Sequence, residues 1–366
     1  PRLGSDLLPP LLAAEAMLGR SRGLRGFRRL STASGVRVST TSPAMEWFES
    51  QLDRGFAYGN QPDLAEMSVT GRRLQEAGDL EGAASLIGEA VSSFKARLGP
   101  QHPDTLTSMS NLGSLLQTLG DHTSASDQYC KVVAGRRACF GDEHPATLAA
   151  LNQLGVCLAR DLCCLDGGAP ALREALAGRR STLGARHPDT LCSIRNVGAL
   201  LYAFGNLQGA APLYREALAG CREVYGRNDP HTVRSALAFG LLLKAWGRAN
   251  AEAEACLEEA LAGCRATGPW PLAGCPATFL ALSSLAELLE ARGELQAALP
   301  LLAESVECAA VYYGAHHEET QQCAAAFMRL LQRVGRSDQA ETVRGDYDVS
   351  EYRVSPSPWS KVSGEA

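Results

Sequence analysis

The chain has 366 residues, of which 45% are hydrophobic, so it is long enough and apolar enough to bury a sizeable core. Its 35 basic and 40 acidic residues give a net charge of −5, which counts against a nucleic-acid surface because such a surface needs a basic excess. The sequence has no apolar run long enough to cross a membrane. We therefore expect neither nucleic acid nor a membrane among its partners.

Residues 1–45 are predicted to form a leader outside the folded part of the chain. Between Ala16 and Ala44 the sequence has no acidic residue, but it has arginines among serines and threonines. This composition resembles an organelle transit peptide. Two interpretations follow: a disordered basic leader on a cytoplasmic protein, or a targeting segment for a mitochondrion or plastid.

A segment of the form Gly-x-x-His-Pro-x-Thr recurs with a period near 42 residues. It is clearest at 99–105, 141–147 and 184–190, and a variant with Asp229 in place of the histidine ends at Thr232. The threonines of six copies are separated by 42, 43, 42, 46 and 42 residues: Thr105, Thr147, Thr190, Thr232, Thr278 and Thr320. Periodicity of this kind is typical of arrays in which each unit packs on its neighbours.

Each threonine is predicted to open an amphipathic helix, because apolar residues recur at +4, +7 and +11 from it. The proline two residues earlier suits a first helical turn. Position +8 is small in most repeats, which lets a second helix approach closely: Gly113, Gly155, Gly198, Gly240 and Ala286. A glycine at +15 ends most of these helices: Gly120, Gly205, Gly247, Gly293 and Gly335.

A second helix is then predicted, with an alanine at a fixed distance in four repeats (Ala125, Ala210, Ala298 and Ala340) and a tyrosine four residues later in two of them (Tyr129 and Tyr214). This small–large pattern is the tetratricopeptide signature. The sequence therefore predicts an all-α fold with an array of about seven helix pairs in residues 46–344. The repeats are expected to start near residues 63, 105, 147, 190, 232, 278 and 320, and residues 345–366 are expected to be a disordered tail.

The long period, the Gly-x-x-His-Pro-x-Thr segments and the Asn111-Leu-Gly113 and Asn196-Val-Gly198 steps resemble the kinesin light chain repeat family. The resemblance covers roughly residues 63–344. It implies a right-handed superhelical solenoid of helix pairs whose concave groove binds extended cargo peptides. The stretch 46–62 lacks the heptads with which kinesin light chains pair with a motor, which counts against binding to the motor heavy chain.

The sequence shows no arrangement typical of catalysis, such as a phosphate-binding loop, a nucleophile elbow or a metalloprotease motif. Six of the seven histidines lie in or beside the recurring segments, so we interpret them as residues that start helices rather than as metal ligands. The 12 cysteines form no Cys-x-x-Cys pair and are interpreted as reduced packing residues. We expect a protein that is not an enzyme and that needs no cofactor or metal.

In this repeat class the first helix lines the groove, chiefly through positions +2, +5, +9, +12 and +13, with +6 at the edge. The candidate peptide-binding residues at these positions are Asn111, Asn152, Arg160, Arg195, Asn196, Tyr202, Arg234 and Lys244. The asparagines are predicted to bind peptide backbone, the cations to select an acidic ligand, and Tyr202 to provide an apolar anchor. The alternative is a solvated face without a ligand, since Glu287 and Glu290 follow in the sixth repeat.

The leading functional hypothesis is a cytoplasmic adaptor that binds extended, acidic segments of a partner protein. A second hypothesis is a structural scaffold that associates with itself through array ends or convex faces. A third is a regulatory repeat fragment of a larger signalling protein.

A fluorescent fusion of residues 17–50 distinguishes the two interpretations of the leader. A targeting segment is expected to carry the fluorescent protein into an organelle, because its arginines and the lack of acidic residues up to Ala44 are the features that import depends on. A diffuse cytosolic signal rules out targeting by this segment. A fusion in which the arginines are replaced by glutamine is the matched control and is expected to remain diffuse.

Overall fold

A computed structural model of the chain describes residues 79–160, 165–247, 250–266 and 276–349. These residues form 13 α-helices and contain no β-strand. The predicted all-α fold is confirmed. The helices are α1 (Leu80–Leu98), α2 (Pro103–Leu119), α3 (His122–Phe140), α4 (Pro145–Arg160), α5 (Leu165–Leu183), α6 (Pro188–Ala203), α7 (Leu207–Tyr225), α8 (Pro230–Trp246), α9 (Asn250–Ala266), α10 (Pro276–Ala291), α11 (Leu295–Tyr313), α12 (Glu318–Arg333) and α13 (Ser337–Tyr347).

The helices form pairs in the predicted order. Every first helix, from α2 to α12, begins two residues before its threonine, as in the start of α2 at Pro103 before Thr105. α1 is the second helix of the repeat predicted from residue 63, whose first helix lies outside the described residues. α13 ends at Tyr347, slightly beyond the expected end near Arg344, and Val349 after it is buried. The leader and residues 350–366 of the predicted tail also lie outside the described residues.

The chain divides into two compact units, and the boundary between Leu200 and Leu201 falls inside α6. We call the described residues up to Leu200 the N-terminal unit and those from Leu201 the C-terminal unit. In the N-terminal unit the core includes Met109, Tyr129 and Leu148. In the C-terminal unit a core cluster is built from small and apolar side chains: Ala286, Ala298, Leu299, Leu302, Leu330, Leu331 and Ala340.

The recurring segment is a tight turn whose polar groups hold one another. Thr147 Oγ1 donates a hydrogen bond to Gly141 O at 2.8 Å, and His144 Nδ1 accepts one from Ala146 N at 3.1 Å. Gly141 has φ 87°, a left-handed conformation that suits glycine. The imidazole acts as the N-cap, the residue that satisfies a free backbone N–H at a helix start. The predicted role of the histidines at helix starts is confirmed for this turn.

The same helix cap recurs at the other four turns between repeats that the structure describes. His102, His187 and His317 each accept from the backbone N–H two residues on, and Asp229 replaces them at α8, where its Oδ1 accepts from His231 N at 2.8 Å. An aspartate therefore substitutes for the imidazole because both offer an acceptor at the same place.

Two helices of a pair touch closely at two glycines. A Cβ on Gly155 of α4 would lie 2.5 Å from Leu172 Cγ and 3.0 Å from Leu172 N in α5. A Cβ on Gly178 of α5 would lie 2.4 Å from Leu148 Cδ2 in α4. The first contact was predicted from position +8, whereas the second was not. The same two contacts recur in α2/α3 and α8/α9: Gly113–Tyr129, Gly135–Leu106, Gly240–Leu257 and Gly263–Val233.

Buried arginines in the N-terminal unit tie one repeat to the next. Arg136 Nη1 in α3 donates to Ala146 O at 2.9 Å, and Arg179 Nη1 in α5 donates to Asp189 O at 2.9 Å and to Ser193 Oγ at 2.8 Å. Burial lowers the pKa of Arg136 to about 10, so its guanidinium remains charged at neutral pH. These contacts hold the start of each following first helix against the preceding second helix.

None of the nine cysteines in the described residues forms a disulfide. Five are buried: Cys157, Cys221, Cys256, Cys308 and Cys323. Burial raises the pKa of Cys256 and of Cys308 to about 11, which keeps both thiols protonated at neutral pH. These buried thiols act as small apolar packing groups.

Replacing the capping imidazole tests the turn. The substitution His187→Ala should lower the free energy of unfolding by about 1 kcal/mol, because the Asp189 N–H loses its acceptor. His187→Asn should retain most of the stability, since its amide oxygen can accept the same bond. Urea denaturation followed by circular dichroism measures the difference, and equal losses for both variants would show that the imidazole does not act as a cap.

Two glycine-to-alanine substitutions test the close helix contact, and they are expected to change the stability of the protein in opposite directions. Gly155→Ala should destabilise the protein by about 1–3 kcal/mol through overpacking against Leu172. Gly88→Ala in α1 is the control, because a Cβ there meets no atom within 4 Å, and it should stabilise the protein by about 0.5–1 kcal/mol. Thermal melting compares the two, and a stable Gly155→Ala variant contradicts the close contact.

Candidate functional site

The first helices of neighbouring repeats in the N-terminal unit are joined by uncharged polar side chains. Ser110 Oγ of α2 donates to Gln153 Oε1 of α4 at 2.9 Å. Asn152 Oδ1 of α4 accepts from Asn196 Nδ2 of α6 at 3.0 Å and from Ser193 Oγ at 3.3 Å. We call these five residues the amide ladder. The sequence spacing places them at +3, +5 and +6 of successive helices, which is where adjacent first helices meet.

The ladder fixes the orientation of two asparagines. Asn152 uses its oxygen to accept both bonds, so its Nδ2 donor has no partner among the described residues. Asn196 uses its nitrogen to donate, which leaves its Oδ1 as an acceptor. Both side chains are half-buried. The contact between the two amides thus leaves one donor and one acceptor unused, and these are the complement of a peptide's backbone C=O and N–H groups.

The other predicted binding residues of the N-terminal unit differ in how deeply their side chains are buried. Asn111 and Arg160 are half-buried, and the charge of Arg160 acts on the phenol of Tyr129, whose pKa is raised mainly by burial. Arg195 is only 6% exposed and its Nη2 lies 3.8 Å from Cys192 Sγ. Arg195 was predicted to help select an acidic ligand, and the structure packs most of its side chain within the fold.

Tyr202 at the start of the C-terminal unit is 7% exposed, so it does not offer the open apolar anchor expected from its position. Burial also raises the pKa of its phenol. A periodic position on a helix does not reveal how completely neighbouring side chains cover it, and here they cover the ring. In its present position Tyr202 belongs to the core.

The first helices of neighbouring repeats in the C-terminal unit are joined by ion pairs at positions +9, +12 and +13, further along the helices than the amide ladder. Lys244 Nζ of α8 lies 2.7 Å from Glu287 Oε2 of α10, and the lysine side chain is 11% exposed. Arg333 Nη1 of α12 lies 2.8 Å from Glu290 Oε2 of α10. Lys244 was expected to attract an anionic ligand, but Glu287 already neutralises it. Arg234, the other predicted cation of this unit, is half-buried in α8.

Burial and neighbouring charges shift the pKa of the Glu290 carboxyl group in opposite directions. Burial raises the pKa of its carboxyl group, the charge of Arg333 lowers it, Glu287 raises it and Arg329 lowers it. Both arginines lie on α12, four residues apart, so they share one face of that helix. The candidate residues derived from the sequence did not include them, although positions +9 and +13 were among those expected to line the groove.

The second helices of neighbouring repeats are joined by a different set of ion pairs. Arg215 Nη2 of α7 lies 3.0 Å from Glu252 Oε1 of α9, and Arg265 Nη2 of α9 lies 2.6 Å from Glu304 Oε2 of α11. Arg137–Glu174 and Arg222–Glu259 pair in the same way. Such exposed pairs are each worth only about 0–1 kcal/mol, so they contribute to the stacking register more than to stability.

Comparison with known protein families identifies the helix pairs as tetratricopeptide repeats. Two profiles described as tetratricopeptide repeat match the chain, one at residues 71–138, 159–223 and 195–266 and the other at residues 278–319. The chain belongs to the tetratricopeptide repeat family. No curated protein sequence matches it significantly.

Solved structures of other proteins share the fold. Kinesin light chain nearly identical TPR-like repeats from Podosopora anserina are 24% identical, with a TM-score of 0.50, and cover 58% of this chain and 100% of that one. A signal transduction ATPase with a tetratricopeptide repeat sensor from Pyrococcus horikoshii is 14% identical, with a TM-score of 0.63, and covers 94% of this chain and 50% of that one. A Rap protein complexed with Competence and Sporulation Factor is 10% identical, with a TM-score of 0.50, and covers 84% of this chain and 79% of that one.

These findings define the class of the protein as a tetratricopeptide repeat solenoid. None of the helices described here has the length and apolar character needed to cross a bilayer. Within the described ranges, no three histidine, cysteine, aspartate or glutamate side chains converge as metal ligands would.

Proposed function

We propose that the chain is an adaptor whose first helices bind an extended segment of a partner protein, in the manner expected of kinesin light chain-like repeats. The observation that carries the proposal is the orientation of Asn152 and Asn196 in the amide ladder. Their contact with each other leaves one donor and one acceptor for a ligand. An extended segment presents the complementary backbone groups regardless of its sequence.

Energetics favour such a mode of binding. A peptide that leaves water must have its backbone N–H and C=O groups hydrogen-bonded, because an unmade bond costs about 1–3 kcal/mol. The ladder side chains are already held by neighbouring helices, so little side-chain freedom is lost when a ligand arrives. Ser193 and Asn196 both hold the Asn152 oxygen, which keeps its amide nitrogen in place.

A preference for acidic segments is the second part of the proposal. Arg160 in the N-terminal unit and Arg234 in the C-terminal unit are half-buried and remain candidate cations, together with Asn111 as a further amide. Each exposed charge pair would add only about 0–1 kcal/mol, so charge selects among ligands whereas the amides provide general affinity. Binding of acidic segments should therefore weaken as salt is raised.

The alternatives differ in what they require of the surface. Self-association through the C-terminal end is disfavoured because α13 presents mostly polar, exposed side chains, as a capping helix does.

A regulatory role within a larger signalling protein matches the Pyrococcus horikoshii protein, in which a tetratricopeptide sensor accompanies an ATPase. Detection of a longer transcript that encodes a nucleotide-binding domain would favour that role. We place the adaptor in the cytoplasm, with an organelle as the alternative.

A peptide selection tests the proposal directly. Short random peptides displayed on phage are selected against the full chain, and the binding of the recovered peptides is measured by fluorescence anisotropy. The double substitution Asn152→Ala and Asn196→Ala should weaken their affinity by about tenfold, because two hydrogen bonds to the ligand are lost. The recovered peptides should be rich in aspartate and glutamate.

The control is Asn228→Ala, which removes an exposed amide on the turn before α8 and should leave affinity unchanged. Circular dichroism verifies that every variant is folded. If the recovered peptides bind the double variant as tightly as the parent protein, the amide ladder is not the binding site. If no peptide is recovered and the protein forms concentration-dependent oligomers instead, the scaffold hypothesis replaces the adaptor.

A further inference from the structure

Four first helices in the described residues begin with a histidine cap, and they differ in the charge that follows the cap. The first turns of α2 and α6 contain Asp104 and Asp189, and that of α12 contains two glutamates. The first turn of α4, which follows His144, contains no acidic residue. The four caps are therefore alike in hydrogen bonding but not in charge.

The carboxylates of α2 and α6 lie beside the capping nitrogen. Asp104 Oδ2 is 3.3 Å from His102 Nδ1, and Asp189 Oδ2 is 3.9 Å from His187 Nδ1. When an imidazole takes up a proton, Nδ1 becomes a donor and can no longer accept from the backbone N–H. At these two turns the protonated ring can donate to the neighbouring carboxylate, and the charge attraction offsets the lost cap.

At the start of α4 the surroundings of His144 are aromatic and cationic. The imidazole stacks on Phe140 with the ring centroids 4.6 Å apart, and its Nδ1 accepts from Ala146 N. The carbonyl of the same Ala146 accepts from the guanidinium of Arg136 at 2.9 Å. Cys139, also at the end of α3, donates its thiol hydrogen to the backbone of the turn before α2. A proton on His144 would thus add positive charge near a buried cation and at the positive end of the helix dipole.

The neighbouring groups that could offset this charge are engaged or exposed. Asp142 Oδ1 lies 2.8 Å from Arg137 Nε, and Arg137 also pairs with Glu174 of α5. Glu143 and the ring of Phe140 are exposed, so water and salt screen their interactions. Among the described histidine caps, the one at the start of α4 therefore has the least compensation for a proton.

We propose that protonation of His144 releases the start of α4 and thereby weakens ligand binding at the amide ladder. The inference rests on the proposed function and adds its regulation by pH. Nδ1 accepts only while it carries no proton, so the cap is present at neutral pH and is lost as the pH falls. Asn152 and Gln153 join α4 to the first helices on either side of it. A shift of the start of α4 moves both side chains relative to their partners.

Hydrogen exchange measures the release independently of any ligand. Exchange of the amides in residues 141–150 is followed by mass spectrometry at about pH 7.5 and about pH 5.5, which span the titration of histidine, and is corrected for the intrinsic pH dependence. Protection in the parent protein should fall by about fivefold at the lower pH, the factor that corresponds to one lost helix cap. In His144→Asn it should change by less than about twofold, because an amide oxygen caps the helix without titrating.

Two further variants test the role of the carboxylate. Ala146→Asp gives α4 the acidic residue that α2 and α6 have, and it should reduce the fall in protection to about twofold. His187→Asn removes a compensated cap and should leave the fall at 141–150 unchanged. If the parent protein shows no fall, or if protection falls equally in His144→Asn, the cap does not respond to pH and the inference is refuted.

Binding of the phage-selected peptides separates this inference from the proposed function. Their affinity should fall by about threefold between the two pH values in the parent protein and remain unchanged in His144→Asn. The same peptide is used with both proteins, so its own titration cancels. If protection responds to pH but affinity does not, the regulatory inference fails and the adaptor proposal stands. If no selected peptide binds at neutral pH, the proposed function fails and its regulation fails with it, whereas the release of α4 is still decided by exchange.

Discussion

In four of the five turns between repeats that the structure describes, a threonine hydroxyl bonds a glycine carbonyl, and in all five a histidine nitrogen or, before α8, the Asp229 carboxylate caps the following helix. In the turn before α4 these bonds are 2.8 Å and 3.1 Å long. Because the turn starts every first helix two residues before its threonine, equivalent positions of successive first helices face one another. The candidate binding faces depend on this constraint, since a change in the start of one helix would move its side chains out of register with its neighbours.

The polar contacts between neighbouring first helices differ in chemistry between the two units. In the N-terminal unit, Asn152 and Asn196 form a neutral contact that leaves backbone-binding groups in place. In the C-terminal unit, Lys244 and Glu287 form an ion pair further along neighbouring first helices, between positions +12 and +9. Amide groups bind any extended backbone and are insensitive to salt, whereas charged groups discriminate between ligands and are screened by salt. One repeat geometry can therefore supply both general affinity and selectivity.

Packing within each pair explains why the turn can be so regular. Glycines such as Gly155 and Gly178 let the two helices touch at two places, and a side chain at either one would have to displace a buried leucine. Buried contacts of this kind are sensitive to a single added methyl group, whereas the exposed arginine–glutamate pairs of the second helices contribute little. In the N-terminal unit, Arg136 and Arg179 add buried hydrogen bonds between consecutive repeats.

The sequence by itself determined the helix pairs, their starts, the capping histidines and the small residues at +8, because all of these follow from local propensity and a period near 42 residues. It also identified Asn152 and Asn196 as candidate backbone-binding residues. Only the tertiary structure decided that Arg195 and Tyr202 are buried and that Lys244 is neutralised by Glu287. The physical reason is that a helical position gives the direction of a side chain, whereas its exposure and its charge partner are set by residues about 42 positions away that the fold brings within a few ångströms.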